Sequence, residues 1–197
     1  MQPKTQYMER FIMQDLIAWK NREDRKPLIL LGARQVGKTY ILKEFGQREF
    51  ENVAYINCDN NAMAKDLFAS DYNIDRILLT IGAITGVNIE AGKTLIIMDE
   101  IQELHRGLAS LKYFCENARE YHVAVAGSLL GLSLHQGESY PVGKVNTLEM
   151  YPMTFEEFLW ARGFKQRMDL LQHGMWDVVK SLRTLYIQHL REYYLVG

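Results

Sequence analysis

Cysteine is scarce in this chain of 197 residues. Cys58 and Cys115 are the only two, and neither falls in a C-x-x-C or zinc-type spacing. They read as reduced core residues, not as a disulfide framework or a metal knuckle. Long apolar runs are also missing: no stretch approaches the ~18 residues of a membrane-spanning helix. The N-terminus carries no signal-peptide pattern, so a cytoplasmic protein without a membrane partner is expected. Neither sign of charge dominates. Lys and Arg number 23 against 24 Asp and Glu, a formal net charge of −1, which excludes a general polyanion binder but leaves room for a local basic patch. The five histidines, His105, His122, His135, His173 and His189, form no metal-ligand cluster. There is no internal repeat and no low-complexity tract. What is present is a 48% apolar composition, enough for a real core, in a length that fits one domain, or one domain plus a fragment.

The most informative stretch is Leu28-Ile29-Leu30-Leu31-Gly32-Ala33-Arg34-Gln35-Val36-Gly37-Lys38-Thr39. An apolar run of buried-strand type leads into G-x-x-x-x-G-K-T, and a helical pattern follows. Gly32 and Gly37 let the backbone curl so that successive N–H groups point into one concavity. A helix starting near Lys38 adds its partial positive charge to the same spot. Lys38 reaches the β- and γ-phosphates in such a loop, and the Thr39 hydroxyl takes a magnesium position. A chance glycine-rich turn is the competing reading; it does not account for all four fixed positions at once. The nucleotide-contacting segment is therefore Gly32, Ala33, Arg34, Gln35, Val36, Gly37, Lys38, Thr39 and Tyr40.

A second segment, Thr94-Leu95-Ile96-Ile97-Met98-Asp99-Glu100, is another buried-strand pattern that ends in two carboxylates. Four consecutive apolar residues suit a parallel strand covered on both faces. Acids at a strand's C-terminal end lie on the edge where open α/β sheets bind ligands. Asp99 is then expected to hold the Mg²⁺ hydration shell, and Glu100 to orient and polarise an attacking water. An acid-rich helix N-terminus is the alternative.

The order of elements supports an alternating α/β domain. A helical stripe over Met8–Trp19 precedes a charged linker, Asn21–Lys26, and Pro27. The phosphate-loop helix covers Lys38–Phe45, and Val53–Cys58 is strand two. A helical pattern fills Asp66–Ile84, strand three carries the acid pair, and Leu104–Arg119 is helical. Val123–Ala126 and Lys144–Met150 are strands four and five. Thr154 caps a helix through Trp160, with Glu157 completing a capping box. Val178–Leu195 reads as one amphipathic helix whose stripe is Val178, Leu182, Leu185, Tyr186 and Leu190. Such a face calls for a partner, either the preceding domain or a second copy of the chain.

The loop Gly32–Thr39 resembles that of a large group of prokaryotic AAA+-like ATPases. The likeness continues through Met98-Asp99-Glu100-Ile101-Gln102, Ala126-Gly127-Ser128 and Pro141-Val142-Gly143-Lys144-Val145. Tyr151-Pro152-Met153-Thr154-Phe155-Glu156-Glu157-Phe158-Leu159 is its most specific piece. Together these are similar to the AAA domain 14 ATPases, which usually carry a C-terminal DUF4143 domain. The resemblance spans about Met8 to Leu159. It implies an α/β P-loop NTPase fold of the AAA+/ASCE type, with a five-stranded parallel sheet flanked by helices and a short C-terminal helical segment. It implies an ATPase domain over 1–162, with 163–197 opening a second domain: Glu192–Gly197 resembles the start of DUF4143, so that domain is expected to be cut short. ATP and Mg²⁺ are the implied cofactors. Ser128 resembles the sensor position that reads the γ-phosphate or the water, although a plain helix N-cap is equally compatible. Lys144 stands where many relatives have arginine, either a charge stabiliser or a solvated surface lysine. Arg34 contacts nucleotide or a neighbouring domain, or is merely exposed. The segment Leu129–Gly143, where ring-forming AAA+ proteins place a trans-acting finger, holds no arginine, which argues against a standard hexameric motor.

The expected function is an ATP-binding and ATP-hydrolysing switch that acts on nucleic acid through the missing domain, with self-association through the C-terminal helix. The alternative is a nucleotide-dependent binding module with little hydrolysis. Neither N-K-x-D nor D-x-x-G occurs, which argues against a GTPase, and no arginine-rich lid points to a small-molecule kinase.

Overall fold

The structure is a computed structural model that describes residues 9–59, 61–68, 71–128 and 140–196. It divides into two compact units, Gln14–Tyr151 and a helical unit of Met1–Met13 with Pro152–Gly197.

The first unit is a five-stranded sheet with helices. Its strands are β1 (Leu28–Gly32), β2 (Asn52–Asn57), β3 (Thr94–Asp99), β4 (His122–Ser128) and β5 (Asn146–Met150). Their order is β2-β3-β4-β1-β5, and every neighbouring pair is parallel. The order explains the two kinds of apolar pattern. The continuous runs of β1, β3 and β4 lie in the middle, where both faces are covered. The half-exposed strands β2 and β5 lie at the edges, β5 with alternating burial.

Helix α1 (Ile12–Lys20) leads into the sheet, α2 (Lys38–Glu49) follows β1, α3 (Ile74–Thr85) follows β2, and α4 (Gly107–Asn117) follows β3. Strand periodicity sorts the sheet residues between two layers. Ile29, Ala54, Ile56, Ile96, Met98, Val123 and Val125 join Ile77 and Ile81 of α3 and Leu108, Leu111 and Phe114 of α4 in one buried cluster. The alternate residues turn to α2, where Gly46 sits against Val53 and Leu95. Asp99 and Tyr55 belong to this second parity.

Two expected helices begin elsewhere. The 61–68 segment forms turns, and α3 starts only at Ile74. Asn73 caps it by accepting from the Arg76 N–H at 3.0 Å, and Asp71 accepts from the Asn73 N–H at 3.0 Å. Short polar side chains bond the local backbone and so set a helix start, which apolar spacing alone does not reveal. After β3 a short 3₁₀ turn, Ile101–Glu103, precedes α4.

The helical unit contains α5 (Phe155–Ala161), α6 (Lys165–Gln172), α7 (Trp176–Ser181) and α8 (Arg183–Val196). The capping box at α5 is complete: the Glu157 N–H donates to Thr154 Oγ1 at 3.1 Å, and the Thr154 N–H donates to Glu157 Oε2 at 2.8 Å. Glu157 also accepts from the Phe11 N–H at 2.8 Å and pairs with the Arg10 guanidinium at 3.0 Å. The single helix expected over Val178–Leu195 is two helices. Ser181 Oγ bonds back to the Val178 carbonyl at 2.7 Å, a local bond that competes with helix continuation. The expected stripe is also rotated. Leu185 and Leu190 are 38% and 39% exposed, whereas His189 is 5% exposed. The inward face of α8 runs through Tyr186, His189 and Tyr193. Tyr186 donates to the Arg167 carbonyl at 2.7 Å, Tyr193 to the Met153 carbonyl at 2.8 Å, and His189 meets the Arg167 guanidinium. Among the described residues no helix is long and apolar enough to cross a membrane.

Candidate functional site

The topology brings three predicted segments to one edge. β4 lies between β1 and β3, so the C-terminal ends of β1, β4 and β3 are consecutive neighbours. The phosphate-loop segment leaves β1, Ser128 ends β4 opposite Gly32, and Asp99 ends β3. The Ser128 side chain and most of the Leu129–Gly143 segment lie outside the described residues.

The two loop glycines serve different ends. Gly37 is the N-cap of α2 with φ 97°, in the left-handed region that favours glycine. A Cβ on Gly32 would stand 2.3 Å from the Met150 carbonyl oxygen of β5, so close strand packing requires that glycine. Gln35 takes a left-handed φ of 65° between them. Arg34, Gln35, Gly37, Lys38, Thr39 and Tyr40 line a cavity of about 420 Å³ that Glu100 completes. Arg34 and Tyr40 are exposed, and Lys38 is 6% exposed. A larger hollow of about 660 Å³ flanks α3, but no lysine or arginine lines it, so the loop cavity is the better phosphate site.

Lys38, Thr39 and Glu100 each have an internal partner. Lys38 Nζ donates to the Gly32 and Ala33 carbonyls at 3.0 and 2.8 Å. Burial lowers the Lys38 pKa, the Glu100 and Asp99 charges oppose that shift, and Arg34 adds to it. Thr39 Oγ1 donates to Asp99 Oδ2 at 2.5 Å, joining the loop to the end of β3. The Tyr55 phenol donates to the same oxygen at 3.2 Å. Its pKa is pushed up to about 12, first by burial and then by the Asp99 charge. Burial likewise pushes the Cys58 thiol up to about 12, which keeps it protonated and inert. Glu100 leaves the strand with a left-handed φ of 52° and accepts from Gln102 Nε2 at 2.5 Å. Gln102 is itself 6% exposed, and its Oε1 has no hydrogen-bond partner among the described residues.

The oxygens of Thr39 and Asp99 suit a hard divalent cation held jointly with phosphates. No group of three or more His, Cys, Asp or Glu residues that could cage a metal occurs among the described residues. The Thr39 hydroxyl donates to Asp99 and keeps lone pairs for a cation, so the pair fits Mg²⁺. Lys144 does not join this group: its ammonium bonds Glu116 of α4 at 2.8 Å. Sequence reasoning missed Tyr55, because the register that brings β2 beside Asp99 leaves no mark in a single chain. Gln102 could have been noticed from its place two residues after Glu100.

Residues 24–159 match the family model of an AAA domain. The chain belongs to that family. Its strand order and loop–helix geometry are those of an AAA+-like P-loop fold, and the chain is a nucleotide-binding, ATPase-like AAA domain protein. A search among curated proteins returns no match. Among solved structures, the chain is similar to the Orc1 protein of Aeropyrum pernix, determined in complex with DNA. The identity is 13% and the TM-score 0.44, over 80% of this chain and 47% of that one. This AAA domain chain therefore spans about half the length of that neighbour.

Proposed function

We propose that this AAA domain protein binds ATP with Mg²⁺ at the edge formed by β1, β4 and β3, and hydrolyses it as a nucleotide-driven switch. The observation that carries the reading is the convergence of Lys38, Thr39 and Glu100 on one cavity, with Asp99 joined to Thr39 at 2.5 Å. Lys38 exchanges its two carbonyl partners for phosphate oxygens and neutralises their charge. The loop N–H groups and the α2 N-terminus orient the phosphates. Thr39 and Asp99 would hold Mg²⁺, which would supply neutralisation of phosphate charge. Glu100 accepts a proton from the attacking water as the bond to the γ-phosphorus forms and the bond to the β–γ bridging oxygen breaks, with ADP leaving. Ser128, the last residue of β4, would act as the γ-phosphate sensor. Positioning and charge stabilisation suffice for phosphoryl transfer, which needs no covalent intermediate.

A second reading is a nucleotide-dependent binding module with little hydrolysis. It is favoured by the Gln102 contact, which engages one of the two Glu100 carboxylate oxygens. Nucleic acid is the target class proposed for this switch, and self-association through α8 belongs to the same reading. One experiment separates these: ATP and GTP affinity measured together with ATP turnover, with and without Mg²⁺ and with and without DNA. Mg²⁺-dependent turnover with ATP preferred over GTP supports the switch. Tight ATP binding without turnover supports the module. DNA that leaves both quantities unchanged removes nucleic acid from the reading.

A further inference from the structure

Tyr55 enters the candidate site from a strand that no motif marks. It stands opposite Ile97 in the β2–β3 register, two residues before the Asn57–Asp99 pair, so it shares the α2 side of the sheet with Asp99. Its phenol reaches forward to Asp99 Oδ2 at 3.2 Å, the oxygen that also takes the Thr39 hydroxyl at 2.5 Å. Asp99 is 6% exposed, so water supplies little of the solvation its charge requires, and hydroxyl donors must supply the rest. Two donors on one oxygen also fix the rotation of the carboxylate and direct its other oxygen, Oδ1, away from them.

The ring itself is clamped. Lys43 of α2 places its ammonium 3.4 Å from the centroid of the Tyr55 ring, a cation–π contact. Thr39 and Lys43 are four residues apart on α2 and share one face of that helix. The helix that supplies the hydroxyl to Asp99 thus also holds the phenol that completes the pair.

We infer that Tyr55 is a positioning residue for the divalent cation: it holds the Asp99 carboxylate in the orientation in which Asp99 and Thr39 take Mg²⁺ together with the nucleotide. This rests on the reading of Asp99 as the metal-side carboxylate. Carboxylates that hold metals are themselves hydrogen-bonded, and loss of such an outer partner costs about 10–100-fold in metal affinity. Tyr55→Phe keeps the ring, the Lys43 contact and the Thr39 bond, so the low end, about tenfold, is expected.

The test is calorimetric titration of the full chain with the β,γ-imido analogue of ATP, over a series of Mg²⁺ concentrations and again in EDTA. Tyr55→Phe should raise the half-saturating Mg²⁺ about tenfold and leave the EDTA affinity within about twofold of the parent. Asp99→Asn, run beside it, should raise the Mg²⁺ requirement by at least as much. An unchanged requirement in Tyr55→Phe, with a shifted one in Asp99→Asn, overturns the role of Tyr55 and leaves the metal site standing. An unchanged requirement in Asp99→Asn overturns the metal reading and the Tyr55 inference with it. Equal loss of affinity in Mg²⁺ and in EDTA reduces Tyr55 to a packing residue and also overturns the inference.

Discussion

The sheet unit and the helical unit are held together by different forces. In Gln14–Tyr151 every residue of β3 is buried, and the cluster around it joins two helices to four strands. In the helical unit, α6 and α7 have no buried residue, and Leu185 and Leu190 keep more than a third of their surface exposed. Beyond a small apolar group around Phe158 and Leu159, its order comes from caps and side chain-to-backbone bonds: the Thr154–Glu157 box, Tyr186 to the Arg167 carbonyl, and Tyr193 to the Met153 carbonyl. Apolar burial gives large, cooperative losses when a side chain is cut. Single hydrogen bonds give about 1 kcal/mol each. Chemistry that needs fixed geometry should therefore sit in the sheet unit, and local opening should begin in the helical one.

The largest expected effect tests where the chemistry is. Glu100→Gln should retain nucleotide affinity within a few-fold and lower ATP turnover by ~10²–10⁴, the span of a positioned base. Steady-state turnover equal to that of the parent would move the catalytic role elsewhere. Next comes packing. Ile96→Ala in β3 should cost ~2–5 kcal/mol in urea unfolding, whereas Leu190→Ala in α8 should stay below ~1 kcal/mol. Similar costs for the two would break the comparison between the units.

His122 gives a pH-dependent version of the same contrast. Burial first, and the Arg25 guanidinium second, push its pKa down from 6.5 to about 4. The unfolded chain then takes up a proton at higher pH than the folded one. Stability present at neutral pH is lost as the pH falls from about 6.5 towards 4, by ~2–3 kcal/mol for this group. His122→Gln should flatten that part of the acid slope in a pH series of unfolding curves, and an unaltered slope would contradict the assignment. A small effect is expected at the cap. Thr154→Ala should cost ~1 kcal/mol and speed hydrogen exchange in α5 and nowhere in β3. Protection in α5 equal to the parent's would show the box to be dispensable.

The same division decided what the sequence could reveal. Motif residues fix both identity and place, so the loop from Gly32 to Tyr40 and the acids Asp99 and Glu100 could be read directly, as could the parallel strands that carry them. The capping box was legible for a similar reason, since Thr154 and Glu157 must stand three apart. The α3 start was not, because Asn73 and Asp71 set it through local bonds that override apolar spacing. Nor was the break at Leu182: leucine, tyrosine and isoleucine are spread round α8, and periodicity alone selects the wrong stripe. Tyr55 was invisible because strand register is a property of the assembled sheet, not of any one segment.

Calorimetric titration of ATP with Mg²⁺ into the parent and Lys38→Ala decides whether the Gly32–Tyr40 loop is the nucleotide site. Losing a charge-assisted contact of ~2–3 kcal/mol should weaken ATP binding roughly 30- to 150-fold. The same dissociation constant in both proteins would place the nucleotide outside this loop.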